Sequence, residues 1–100
     1  MKYKLLFADS SARKNFEKRL MRIPDKTLRE KIMSETEKLS CNLYPEGKKF
    51  KTIKPPVILF RYAANYRIRI GDYRVLYDVD SKKKIVWILA LRKRSEKTYK

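Results

Sequence analysis

The chain has 100 residues, enough for one domain with a modest core, and 43% of them are hydrophobic, which excludes a disordered chain. It carries 27 Lys and Arg against 11 Asp and Glu, a net charge of +16; such a compact state repels itself, so a polyanionic or acidic partner is expected. Histidine is absent and Cys41 is the single cysteine, which excludes an internal disulfide and leaves a poor donor set for a transition metal.

The first element is a short strand, because Tyr3, Leu5 and Phe7 alternate with Lys2 and Lys4. Asp9, Ser10 and Ser11 are good helix N-caps, and Ala12, Phe16, Leu20 and Ile23 follow at helical spacing. Pro24-Asp25 ends that helix and starts a second, whose apolar stripe is Leu28, Ile32, Met33 and Leu39. The two helices read as a hairpin packed on a sheet, and their Lys and Arg as a solvated face. Lys48–Pro56 reads as a basic loop, since Pro55-Pro56 disfavours regular structure. Val57–Tyr62 reads as a strand and Ala63-Ala64-Asn65 as the turn after it.

Two strongly alternating segments come next. Tyr66, Ile68 and Ile70 alternate with Arg67 and Arg69; Tyr73, Val75, Tyr77 and Val79 alternate with Arg74, Leu76 and Asp78. Gly71-Asp72 between them predicts a two-residue hairpin of type II′. Asp80–Lys83 reads as a turn. Ile85–Leu91 is a continuous apolar run, suited to a central strand covered on both faces. The order is that of an α+β domain: a strand, a helical hairpin, then three to four strands. Met1–Phe7 lacks the apolar core of a signal peptide, and Ile85–Leu91 is far too short to span a bilayer. A cytoplasmic location and no membrane partner are expected.

Charge concentrates in the second part, where residues 41–100 hold 16 basic and 5 acidic side chains. The hairpin register sets Arg69 opposite Arg74 and Arg67 opposite Leu76. Arg67, Arg69 and Arg74 therefore share one face, with the apolar residues on the other. Arginines directly across strands repel by roughly 0.2–1 kcal/mol. A bridging phosphate removes that penalty, because each guanidinium fork grips two oxygens. The structural alternative is a solvated outer face partly neutralised by Asp78. The tail adds Arg92, Lys93 and Arg94, with Tyr99 beyond; cations beside an accessible ring suit single-stranded RNA. Asp78 and Asp80 read as turn formers rather than metal ligands, Trp87 as core, and the tyrosines of the sheet as packing.

The block Tyr66-Arg67-Ile68-Arg69-Ile70-Gly71-Asp72-Tyr73-Arg74-Val75-Leu76-Tyr77 resembles the centre of the RelE/ParE toxin superfamily, and Arg92-Lys93-Arg94-Ser95-Glu96 with Tyr99 resembles its ending. The likeness implies a RelE-like fold with a curved antiparallel sheet, and a ribosome-dependent mRNA endoribonuclease that needs no metal or cofactor. It implies the ribosome and mRNA as targets and a cognate RelB-like antitoxin as partner. The family's catalytic positions fall on Arg67, Arg69, Arg74, Tyr99 and a C-terminal basic residue that stabilises the leaving 5′ oxygen, Lys93 or, with the gap placed elsewhere, Arg92 or Arg94. Lys49, Lys51 and Lys54, with Arg92, fall where RNA-binding residues are expected. Lysines of well-studied RelE toxins are replaced here by Arg67 and Arg69. These can hold phosphate but not act as a general base, because arginine stays protonated. A ParE-like gyrase inhibitor and a non-catalytic RNA-binding module are the rival readings of the same scaffold.

Overall fold

A computed structural model describes residues 2–59 and 62–93. Seven elements follow one another: β1 (Lys4–Phe7), α1 (Ser10–Met21), α2 (Lys26–Lys38), β2 (Phe50–Leu59), β3 (Tyr62–Ile70), β4 (Tyr73–Asp80) and β5 (Ile85–Lys93). They build an α+β domain with one sheet in the order β1-β5-β4-β3-β2. Four strands run antiparallel as meanders, and β1 closes the sheet by pairing parallel with β5, Leu6 lying opposite Trp87.

Both helices start where their caps dictate. The Asp9 carboxylate accepts the Ala12 N–H at 2.8 Å, and the Asp25 carboxylate accepts the Leu28 N–H at 3.2 Å. Arg29 donates to the Ile23 carbonyl and so ties α2 to the turn that precedes it. Phe16, Leu20 and Ile23 from the first helix and its end, with Ile32 and Leu39 from the second, pack on Ile68, Ile70, Val75, Tyr77, Val86, Ile88 and Leu91. Met33 stands away from this core at 51% exposure, unlike the stripe expected of it; Thr36 takes the buried position and its hydroxyl donates to the Ile32 carbonyl. The helix period carries Met33 past the edge of the buried stripe, one residue beyond Ile32.

Two expectations fail at β2 and β3. The segment Lys48–Pro56 is mostly strand, because β2 is an edge: proline there sacrifices no ladder bond that a neighbour needs. Pro55 and Pro56 fall within the register shift between Thr52 and Val57, where pairing with β3 is interrupted. Ala63-Ala64-Asn65 is strand rather than turn, with Val57 opposite Ala64 and Ile58 opposite Ala63. Buried Ala64 joins Val57, Leu76, Leu89 and Ala90 in a second, smaller cluster. That cluster is possible because β5 bulges between the partners of Leu76 and Tyr77, inserting Leu89. No helix among the described residues is long and apolar enough to cross a membrane.

Candidate nucleic-acid interface

Gly71 takes φ +60, and Lys84 is the one described non-glycine residue with positive φ, so Asp72 keeps a negative φ as a type II′ turn requires. The turn fixes the register: Ile70 lies opposite Tyr73, Arg69 opposite Arg74, Ile68 opposite Val75 and Arg67 opposite Leu76. Since Ile68, Ile70 and Val75 enter the helix-side core, Arg67, Arg69 and Arg74 occupy the other face.

The neighbouring strands widen this pair into rows. Arg92 lies opposite Arg74 on β5, and Lys51 lies opposite Arg67 on β2. The Arg69 N–H donates to the Lys49 carbonyl at 2.8 Å, continuing the β2–β3 ladder. One row therefore reads Lys49–Arg69–Arg74–Arg92, across three strands and the residue that leads into β2, and the next begins Lys51–Arg67. With strands about 4.8 Å apart, the first row spans roughly 14 Å. Arg69, Lys49 and Lys51 are exposed, whereas Arg67, Arg74 and Arg92 are half-buried, with Arg67 Nη1 and Arg74 Nε shielded from solvent. Side chains anchored in this way offer a rigid set of donors rather than a mobile cloud of charge.

Lys93 goes elsewhere. It lies opposite Tyr73, a residue packed on the helix-side core, so alternation turns it away from the arginines. Lys54 is exposed within the interrupted stretch of β2 and has no fixed partner across the sheet. Arg94 and Tyr99, assigned catalytic roles on sequence grounds, lie outside the described residues. Among the described residues no group of three or more His, Cys, Asp or Glu is arranged to hold a metal.

Behind the cationic face, rings brace the start of β2. Tyr66 stacks on Phe50 with centroids 5.8 Å apart and meets Tyr44 at 5.1 Å and Tyr77 at 5.7 Å. The fully buried Tyr77 donates its hydroxyl to the Leu43 carbonyl at 2.7 Å, pinning the segment that leads into Lys49. Burial pushes the Tyr77 phenol well above its ordinary value, with the Tyr44 and Tyr66 hydroxyls adding to the effect. Burial likewise raises Tyr66, helped by Tyr44 and Asp78. Both stay neutral and structural.

A helical hairpin on one face of an antiparallel meander, and cations in register on the other, define a toxin fold of the RelE/ParE superfamily. The chain belongs to the ParE toxin family: the family described as the ParE toxin of type II toxin–antitoxin system parDE matches residues 9–98. It is thus a toxin of a toxin–antitoxin system, with an antitoxin for partner. Among solved structures it is similar to the archaeal RelE–RelB complex from Pyrococcus horikoshii OT3, at 26% identity, TM-score 0.70, with 96% of this chain and 99% of that one covered. The toxin–antitoxin complex RelBE2 from Mycobacterium tuberculosis shares the fold at 20% identity and TM-score 0.61, covering 96% and 95% of the two chains. A double arginine-to-alanine mutant of the E. coli toxin RelE in the free state shares it at 21% identity and TM-score 0.55, covering 95% and 86%. No curated protein matches.

Proposed function

We propose that the chain is a ribosome-dependent endoribonuclease that cuts mRNA and is held inactive by a RelB-like antitoxin. The row Lys49–Arg69–Arg74–Arg92 carries this reading, since cations set directly opposite one another present a line of donors to the phosphates of a polyanion. In the proposed reaction a ribose 2′-oxygen attacks the adjacent phosphorus while the bond to the 5′ oxygen breaks. Arg69 and Arg74 hold the scissile phosphate, with Arg67 beside them, and stabilise the charge that builds on its oxygens. Arg92, opposite Arg74, stabilises the leaving 5′ oxygen as the C-terminal basic residue of the site. Tyr99 stacks on or orients a base. Guanidiniums cannot take the 2′ proton, which leaves Tyr99, the amines of Lys49 and Lys51 on this face, or a group of the ribosome or substrate. The cytoplasm is where such a substrate is found.

Induced expression followed by mapping of mRNA 5′ ends tests the reading. Cuts should fall within codons at the ribosomal A site, and Arg74→Ala should abolish them while its thermal unfolding stays cooperative. A folded Arg74→Ala protein that cuts as well as the parent would refute the assignment.

A second reading has one specific observation in its favour: the family match over residues 9–98 is to ParE. On that reading the cationic face docks on an acidic surface of DNA gyrase and cuts nothing. Loss of DNA supercoiling in expressing cells, with intact mRNA, would select it. RNA affinity that falls steeply with salt, again without cut product, would select a non-catalytic RNA-binding module.

A further inference from the structure

We propose that the open face of the sheet holds a second site, beyond the row Lys49–Arg69–Arg74–Arg92, that receives the guanidinium of an arginine from a partner polypeptide. Along β4 the site begins at Asp78, four residues beyond Arg74, which is about 13 Å away at roughly 3.3 Å per residue. A cavity of about 310 Å³ opens there, lined chiefly by Tyr62, Asp78, Asp80, Lys83, Trp87 and Leu89. This is the lower end of the size range of small-ligand pockets, roughly 300–1,000 Å³.

Its construction is specific. Trp87 lies directly opposite Asp78 in the β4–β5 register, so a ring and a carboxylate share one rung of the face. Tyr62 is fixed on the other side, its hydroxyl donating to the Ala8 carbonyl at 3.3 Å. Buried Leu89, the residue inserted by the β5 bulge, supplies an apolar wall. The two carboxylates are oriented by neutral donors. Asp78 Oδ1 accepts from Asn65 Nδ2 at 3.0 Å, and Asp80 Oδ1 accepts the Lys83 N–H at 3.0 Å. Among the described residues neither carboxylate makes an ion pair; the cation on the rim is Lys83.

The fold sets two acidic groups side by side and meets them with an amide and a peptide N–H. Paired carboxylates between aromatic walls favour a planar cation. A guanidinium can stack on indole or phenol while its fork donates to both acids. A nucleic-acid backbone is disfavoured by the same acids. Two protein carboxylates are few oxygens for a dedicated Ca²⁺ site.

Trp87 is the only tryptophan, so its fluorescence reports on the site directly. The full-length protein is titrated with the blocked peptide acetyl-Gly-Arg-Gly-amide, and separately with the same peptide carrying citrulline, the neutral isostere of arginine. The arginine peptide should give a saturable change, and citrulline should bind at least tenfold more weakly. Asp78→Asn/Asp80→Asn should remove at least tenfold in affinity; Asp80→Asn alone, on the strand end, serves if the double variant fails to unfold cooperatively. Equal binding of the two peptides, no saturable change, or undiminished binding by the variants would overturn the proposal. Tighter binding of guanosine monophosphate or of Mg²⁺ to the same tryptophan signal would also overturn it, in favour of a base or a metal site.

Discussion

The pairing of β4 with β5 makes a sharp demand on two adjacent residues. Arg92 lies opposite Arg74 in the cationic row, while Lys93 lies opposite Tyr73 on the other side of the sheet. Both are cations, one peptide apart, and composition cannot tell them apart. Their effect on RNA binding should differ because of direction alone. Each single-strand phosphate neutralised releases counterions, so log affinity falls against log salt with a slope of about 0.7 per contact. If all six cations of the face engage (Lys49, Lys51, Arg67, Arg69, Arg74 and Arg92), the slope is about 4, and raising salt from 50 to 200 mM weakens binding on the order of a few hundredfold. Arg92→Gln should bring the slope down by about 0.7, whereas Lys93→Gln should leave it unchanged. Fluorescence anisotropy of a labelled oligouridylate across a salt series measures this without any cleavage. Equal reductions by the two variants would show that RNA senses only the summed charge of the tail, and the row deduced from the register would have no standing as a binding surface.

Other outcomes follow from the packing. Tyr77→Phe keeps the ring but leaves the Leu43 carbonyl without its 2.7 Å partner, which should cost about 1–3 kcal/mol and, at roughly 4–8 °C per kcal/mol for a domain of this size, show clearly in calorimetry. Because burial raises the Tyr77 phenol above its unfolded value of about 10, the parent protein should be fully stable below that pH and lose stability as pH climbs beyond it. In Tyr77→Phe that alkaline loss should shrink to the share contributed by Tyr66, as pH-dependent unfolding would reveal. Gly71→Ala forces an alanine to φ +60 and brings its Cβ to 3.2 Å from Leu28 Cδ1, so a destabilisation of about 1–2 kcal/mol is expected in denaturant titration.

How legible the fold was depended on whether local pattern and tertiary pattern coincided. The β3–β4 hairpin was readable to the rung, since alternation, a glycine at the first turn position and strand length all point to one register. The caps at Asp9 and Asp25 were readable because a capping carboxylate acts within three residues. β2 was not, since Lys48–Pro56 has the composition of a loop, and only its place at the edge of the sheet makes a Pro-Pro strand tolerable. With β2 taken for a loop, Lys49 and Lys51 could be seen as basic but not as rungs of the same ladder. The bulge at Leu89 was equally hidden, because in a continuous apolar run no alternation marks where parity flips. Counting outward from buried Leu91 is the one signal that could have separated Arg92 from Lys93 in advance. Trp87 was expected in the core, but it lies opposite Asp78 on the face that carries no helix and is half-buried there.

The cationic face is also a liability that the rest of the domain must carry. Four like-charged pairs, Arg69–Arg74, Arg74–Arg92 and Lys51–Arg67 on adjacent strands and Lys49–Arg69 at the entry to β2, lie on this face. At roughly 0.2–1 kcal/mol each they amount to about 1–4 kcal/mol, a sizeable part of the 5–15 kcal/mol by which domains are usually stable. The same strands carry the offset on their reverse side, where Ile68, Ile70, Val75 and Leu91 are essentially dry against α1 and α2. Burial of side chains of that size stabilises by about 1.5–3 kcal/mol each, so the helical hairpin makes the arginine rows structurally tolerable. A polyanion that covers the rows then both binds and relieves the repulsion. The protein should therefore gain thermal stability from it. Neutral substitutions in the row should move those two quantities in opposite directions, raising the stability of the free chain while lowering its affinity for RNA.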